Sequence, residues 1–433
     1  MYVNSLKIKN LRCFHEAEIE FQFPNRKNPR KFTNPNDKTP LKFPNINLLL
    51  GSNGSGKSSI LKALALSTLS PVLERSSGLV LTRMIRDNGH TVNGKLEDAE
   101  LTANLILHEQ DLQGFSQKKS LLVNMRSLIK RYGSVEELHS ETLESQIPSG
   151  IFEDNSPAFL VVGYGVARRV EENPGYNFKE LSKIRRVRYS RVADLFESNY
   201  KLVPLPSWLP YLENENKGRY TQAVHLIDRL TPNDMEFKGE FIEGEFYFDF
   251  RGIKTPFGAL SDGYKGFIGW IGDLLYHICM GCPSGKKLIE NEGLVLVDEI
   301  DLLLHPEWQR TVINSLSEQL PNLQFVFTTH SPIVSSSVEK ENVFVMETDE
   351  EGSAIIKQYE ENIYGHTAEQ VLLSSYFGLD TTRPESFVQH EIVPLSEKAV
   401  QGDQAAALEY MKKLSQPLKV DKSKFEAILE NME

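Results

Sequence analysis

NINLLLGSNGSGKSSILKALALSTL, residues 45–69, reads as three consecutive pieces. The run from Ile46 to Leu50 is apolar enough for a strand buried on both faces, and it stops at Gly51. GSNGSGKSS at 51–59 matches the pattern GxxxxGK[ST]. The residues that follow meet no helix breaker before Pro71 and read as a helix. Strand, glycine-rich turn and helix in that order gather backbone N–H groups around phosphate oxygens, and the helix N-terminus adds partial positive charge. Lys57 is placed to neutralise β- and γ-phosphates, and Ser58 to ligate Mg2+. Asn53, Gly54, Gly56, Lys57, Ser58 and Ser59 are therefore the candidate contacts to a nucleoside triphosphate, ATP in the first instance.

Two later apolar runs end in polar groups. GLVLVDEIDLLLHP at 293–306 delivers Asp298 and Glu299 at a strand's carboxyl end, where open α/β sheets bind their ligands. Asp298 suits support of Mg2+, and Glu299 suits orienting or deprotonating an attacking water. FVFTTHSP at 325–332 ends in His330, a candidate reader of the γ-phosphate. Lys57, Glu299 and His330 form the candidate catalytic set. Alternating residues Leu6, Ile8, Leu11 and Ala17, Ile19, Phe21 predict an antiparallel entry of two strands. ELTANLILHE (100–109), PAFLVVGYG (157–165) and FIEGEFYFDFRG (241–252) predict further strands, whereas KKSLLVNMRSLIKRY (118–132) predicts a basic amphipathic helix. The fold class is α/β.

The chain has 433 residues, 40% of them hydrophobic, enough for two or three units with ordinary cores. With a net charge of −11, any nucleic-acid contact has to come from a local patch. KIRRVRYSR at 183–191 is the sharpest such patch: Lys183, Arg185, Arg186, Arg188 and Arg191 cluster beside Tyr189, although a basic segment can equally pair with acidic neighbours. No apolar run approaches the roughly 20 residues of a membrane span, and the first segment lacks the pattern of a signal or transit peptide. Cys13, Cys279 and Cys282 make an odd count that fits a reducing compartment, so a cytoplasmic address is expected. The lone CxxC reads as packing rather than metal binding.

LSDGYKG at 260–266 narrows the class, because it resembles the LSGGQ signature of ABC ATPases, with Asp262 and Tyr264 departing from the commonest form. LKIKNLRCF (6–14), GYGVARR (163–169), DEIDLLLHPEWQR (298–310) and EQVLLSSYFGLDTTRP (369–384) together resemble the RecF/OLD/SMC-like branch of that family, and within it the compact ATPase subunits of Septu-type anti-phage systems. The resemblance implies an ABC-type head that closes on ATP with a second head, where Ser261 and Gly263 reach the γ-phosphate held by the opposite subunit and Arg12 approaches the nucleotide. It implies four units: a first ATPase lobe over 1–170, an inserted helical subdomain over 171–238, a second lobe over 239–345 and a helical extension over 346–433 that docks a partner. It further implies ATP hydrolysis with Mg2+, a separate HNH-type nuclease as partner, possible DNA or RNA contact, and no nuclease chemistry in the chain itself. A RecF-like repair ATPase acting on DNA is the alternative. No glutamine is assignable to the family's Q-loop.

Overall fold

Strand-forming alternation at the start of the chain and continuous apolar runs further on produce two different sheets. The computed structural model describes the chain except for residues 31–36, 38, 76–78, 88–96, 110, 113–120, 142–149, 154, 155, 157, 171–187, 233, 284 and 415–433. The first sheet is built from β1 (Tyr2–Leu11), β2 (Phe14–Glu20), β4 (Ala99–Leu107), β5 (Leu121–Tyr132) and β6 (Val135–Ser140), antiparallel throughout in the order β2-β1-β4-β5-β6. The second has the order β17-β16-β3-β15-β14-β7, from β3 (Ile46–Gly51), β7 (Val161–Tyr164), β14 (Gly293–Val297), β15 (Leu323–Thr328), β16 (Val343–Thr348) and β17 (Ala354–Lys357). Its strands run parallel except for β17 at one edge. Every residue of β14 and β15 is buried, the signature of a sheet covered on both faces.

Helix α1 (Lys57–Thr68) lies between the two sheets, and ten of its twelve residues are buried. A helix apolar nearly all round belongs in such a position. Leu49, Leu294, Leu296 and Val326 face this side of the parallel sheet, with Ile60, Leu61 and Leu64 of α1 and Leu6, Ile8, Leu101 and Leu105 of the antiparallel sheet. The opposite face packs on helices α2 (Leu205–Glu215), α3 (Lys217–Leu230), α4 (Asp262–Gly281) and α5 (Val312–Gln319), with Trp208 and Trp270 among the largest buried side chains. A two-stranded pair, β8 (Arg169–Val170) and β9 (Lys201–Leu202), and a small antiparallel sheet, β10 (Met235–Glu236), β11 (Phe241–Ile242), β12 (Glu245–Phe250) and β13 (Ile253–Pro256), complete the strands described.

Two readings change. The stretch predicted as a basic helix at 118–132 is β5 over its described part, with Val123, Met125, Ser127 and Ile129 buried at alternate positions. Its leucines and methionine fit helical spacing, while Leu121, Val123, Met125 and Ile129 fit period two, and pairing with β4 and β6 on both sides decides for the strand. Both of its arginines are matched across strands, Arg126 with Glu100 at 2.8 Å and Arg131 with Glu136 at 2.6 Å. The boundary expected at 345/346 falls within β16, and β17 continues the same sheet, so the first compact unit runs from Met1 to Phe377. In the second unit, Gly378–Glu433, a π turn at Val388–Ile392 leads into α6 (Val393–Val400), whose second residue, Pro394, has no N–H to give. Arg383 donates to the carbonyls of Lys413 and Leu414 at the end of α7 (Gln404–Leu414). No helix among the described residues is long and apolar enough to cross a membrane.

Two fully buried amides stitch the sheets together. Val3 lies beyond Ser5, the last residue of β1 to pair with β2, and Gln324 takes up its free backbone: Oε1 accepts from Val3 N–H at 2.7 Å, while Nε2 donates to Val3 O at 2.8 Å and Gln22 O at 2.9 Å. Asn47 makes the matching clasp, accepting from Gln22 N–H at 2.6 Å and donating to Gln22 O and Phe325 O. Replacing Gln324 by Leu leaves buried backbone groups unpaired, and the expected loss is about 3 kcal/mol of unfolding free energy, read as a lower denaturant midpoint.

Candidate functional site

Parallel pairing puts the ends of β3, β15 and β14 in one row. Val297 stands opposite Phe327, and Phe327 opposite Leu48, so Asp298 and Thr328 come out side by side at the carboxyl edge, beside the last residues of β3 before it ends at Gly51. The glycine-rich loop leaves β3 at this edge and enters α1 at Gly56. At φ 105° Gly56 is left-handed, and a Cβ there would sit 2.6 Å from both Cys13 Sγ and the Phe14 ring. Only glycine lets the loop lie this close to the β1–β2 turn. Among the described residues no side chain caps α1 and no acid occupies its first turn, so its leading N–H groups remain available to an anion.

Lys57 curls back over the loop and donates to Gly51 O at 2.8 Å and Ser52 O at 2.9 Å. Burial pushes its ammonium below the usual lysine range, against the opposing pull of Asp298, Glu299 and Asp301. Ser55 Oγ is buried with no hydrogen-bond partner, Asn53 and Gly54 are exposed, Ser58 is half-buried and Ser59 is buried. Arg12, in the β1–β2 turn at φ 47°, is held below its ordinary value by burial. Burial and then the neighbouring Arg12 do the same to Lys62 on α1. Uncapped helix N–H groups, a buried lysine, an unpartnered hydroxyl and two further cations fit the charge and acceptors of a triphosphate. Ser58 and Asp298 supply the hard oxygen donors that suit Mg2+.

Opposite the loop, one hydroxyl organises both acids. Thr328 Oγ1 donates to Asp298 Oδ1 at 2.6 Å and accepts from the Glu299 N–H at 2.7 Å. Glu299 is left-handed, φ 49°, which costs a non-glycine residue about 1–2 kcal/mol. Its carbonyl accepts from Arg168 Nη2 at 2.6 Å, and a charged hydrogen bond of this kind, worth about 1.5–3 kcal/mol, is large enough to hold it there. Burial pushes the Arg168 guanidinium down, opposed by Asp194, Asp298, Glu299 and Asp301. Burial also lifts Asp194 to about 6, although it accepts the Gly165 N–H at 2.7 Å and lies near Arg168. Thr329 Oγ1 donates to Asp301, and His330, the next residue, is exposed with no described hydrogen bond to its ring.

Ser261 is the exposed N-cap of α4 and makes no capping bond. Gly263 lies under the loop that follows Glu299: a Cβ there would be 2.4 Å from Leu303 O. Tyr264 packs on Trp308 with ring centroids 4.3 Å apart. The structure thus brings Lys57, Asp298 and Glu299 together, while no described contact joins Ser261 to Lys57 within the chain.

The basic patch reads differently. Arg188 is fully buried and donates to the carbonyls of Ile151, Glu153, Ser156 and Phe159, and Arg191 is 7% exposed. Neither is free to meet a nucleic-acid backbone: Arg188 is committed to those four carbonyls, and Arg191 is buried. Lys183, Arg185 and Arg186 lie outside the described residues. Thr328, Arg168, Asp194 and Ser55 were not singled out by sequence; Arg168 sits in GYGVARR, whose resemblance was the available signal, and Thr328 sits in the TTH that closes its strand.

A family model described as "AAA domain, putative AbiEii toxin, Type IV TA system" matches residues 167–336, and a second, "AAA domain", matches 5–78. Among solved structures, the Smc head bound to the C-winged helix domain of ScpA superposes with a TM-score of 0.50 at 14% identity, covering 83% of this chain and 98% of that one. The chain has the fold of an ABC-type ATPase head. This head is similar in sequence to Septu protein PtuA of Bacillus mycoides, 25% identical over 389 residues, which are 89% of the chain and 46% of that protein. It is 32% identical to Septu protein PtuA of Bacillus thuringiensis over 151 residues, 34% of the chain and 36% of the relative. The head therefore spans less than half the length of either relative.

Gly56→Ala should bind ATP at least about tenfold more weakly than wild type in a titration with a fluorescent analogue, since the substitution strains a left-handed position and displaces Phe14 from the loop.

Proposed function

We propose that this head binds Mg2+-ATP between its own glycine-rich loop and the Ser261 end of a second copy, and hydrolyses it to ADP and phosphate. We propose further that the closure controls a separate nuclease in cytoplasmic defence against phage. The observation that carries the reading is a site complete on one side only: Lys57, Asp298 and Glu299 gather at the sheet edge, while the uncapped start of α4 at Ser261 stands exposed with no described link to them.

In this reading Lys57 exchanges its two loop carbonyls for β- and γ-phosphate oxygens, replacing neutral acceptors with charged ones. The N–H groups of Gly54, Gly56 and the first turn of α1 hold the phosphates, with Asn53 and Ser59 flanking them and Arg12 approaching from the β1–β2 turn. Ser58 and Asp298 hold Mg2+, which supplies charge neutralisation at the phosphates. Glu299, anchored through its own N–H and C=O, orients the attacking water and takes its proton. His330, exposed beside this edge, donates to the γ-phosphate. Ser261 and Gly263 of the second copy close the site from the other side, with the N-terminus of α4 aimed at the same phosphate. Attraction of both heads to one anion makes the nucleotide itself the adhesive between them.

The likeness to Septu PtuA supports the defence setting and a nuclease partner, for which the resemblance implies the HNH type. In the unit from Gly378, Val400, Leu408, Met411 and Leu414 are exposed apolar groups suited to a docking partner. DNA or RNA is the proposed target of the assembly.

The deciding experiment weighs purified Glu299→Gln with and without Mg2+-ATP, alone and co-expressed with its genomic neighbour. Mass should double with ATP and the neighbour should co-purify. An unchanged mass with ATP bound removes the two-headed site. Doubling with duplex DNA retained and no nuclease transfers the head to a repair role.

A further inference from the structure

The loop after β7 carries no glutamine, yet it reaches the acids at the sheet edge. β7 runs parallel beside β14, with Tyr164 opposite Val297, and Asp298 N–H donates to Tyr164 O at 2.9 Å. The chain then emerges at the same edge as Asp298 and Glu299. Gly165 N–H is fixed to Asp194 Oδ2 at 2.7 Å, and three residues later Arg168, left-handed at φ 37° and 8% exposed, donates through Nη2 to Glu299 O at 2.6 Å. Asp194 Oδ1 is buried without a hydrogen-bond partner, and Asp194 lies within electrostatic reach of Arg168.

We infer that Arg168 is a positioning residue for the hydrolytic step: it holds Glu299 in the left-handed conformation from which its carboxylate addresses the attacking water, with Asp194 anchoring the start of the same loop at Gly165 and adding a nearby negative charge. The inference deepens, and rests on, the hydrolytic reading of this site. Glu299 is held by Thr328 on its N–H, and on its C=O by the charged Arg168 at 2.6 Å and by the neutral Leu302 N–H of its own turn at 3.1 Å. Thr328 belongs to β15 in the middle of the sheet, whereas Arg168 belongs to a loop at the edge strand. Removing Arg168 leaves that carbonyl with only the longer, neutral bond from Leu302, too weak a hold to offset the strain of the left-handed conformation, so the residue relaxes toward an ordinary right-handed one and carries the carboxylate off line while leaving the phosphate loop untouched. Arg168 also sets its positive charge among Asp298, Glu299 and Asp301, where it lowers the mutual repulsion of three acids.

The test compares full-length Arg168→Met, Arg168→Lys and Asp194→Asn with wild type and with Glu299→Gln, recording kcat, KM for ATP, affinity for a fluorescent ATP analogue and the thermal midpoint. Arg168→Met should lose roughly 10- to 100-fold in kcat with KM and analogue affinity within about threefold, and Arg168→Lys should recover part of the loss. Asp194→Asn, which keeps an acceptor for Gly165, should lower kcat with KM unchanged and serves in place of the methionine variant should that one not fold. Wild-type kcat in Arg168→Met, a KM rise as large as the kcat loss, or no recovery by lysine overturns the assignment. Glu299→Gln separates the two levels: if it is inactive while Arg168→Met is active, only the positioning role falls, and if Glu299→Gln hydrolyses ATP normally, the hydrolytic reading falls first.

Discussion

Thr328 has one hydroxyl proton to give, and it goes to Asp298, while the oxygen accepts from the backbone of Glu299. Everything at the candidate site depends on the register that makes this possible. A slip of one residue between β14 and β15 would turn Thr328 to the opposite face and leave both acids without their anchor. The register is itself protected by burial: β14 and β15 expose nothing, so sliding would drive Val297 and Phe327 out of packed positions. The core thereby fixes the spacing between the glycine-rich loop and the acids, and loops with little packing of their own inherit that precision.

The parts legible in sequence were those where chemistry and burial coincide. Continuous apolar runs marked β3, β14 and β15, and parallel strands carry their functional groups where such runs stop, so Lys57, Asp298 and Glu299 could be named together without coordinates. β5 was misread because Leu121, Leu122, Met125, Leu128 and Ile129 fit helical spacing while Leu121, Val123, Met125 and Ile129 fit period two, and only partner strands on each side decide between them. Arg188 shows a different limit. Its sequence neighbours are basic, yet its guanidinium serves the carbonyls of Ile151, Glu153, Ser156 and Phe159, which lie about 30 residues away in the chain and carry no mark in the sequence. The GYGVARR segment pointed to the neighbourhood of Arg168 but not to its contact, because its partner is again a backbone carbonyl, which carries no mark in the sequence.

The glycine-rich loop has a second dependency, on the antiparallel sheet. Gly56 rests against Cys13 and Phe14 in the turn between β1 and β2, and α1 is covered by both sheets. A shift of that turn would be felt by the loop without passing through the parallel sheet. The two sheets are in turn tied by buried amides rather than by apolar packing alone, and hydrogen bonds of fixed direction resist sliding in a way that apolar contact does not.

The clasp between Val3 and Gln324 joins positions 321 residues apart. On a ribosome adding about 5–20 residues per second, the amino-terminal strand would wait on the order of 20–60 s for the residue that completes it. During that interval the inner face of the β1–β2 hairpin, with Leu6, Ile8 and Ile19, has no covering helix from the parallel sheet's side until α1 emerges and no closing strand until β15 arrives. Contacts this distant in the chain slow folding, because the entropy of closing the loop is lost before the contact rewards it. Until Gln324 emerges, the backbone groups of Val3 therefore wait for the partner that ties the amino-terminal strand to the parallel sheet.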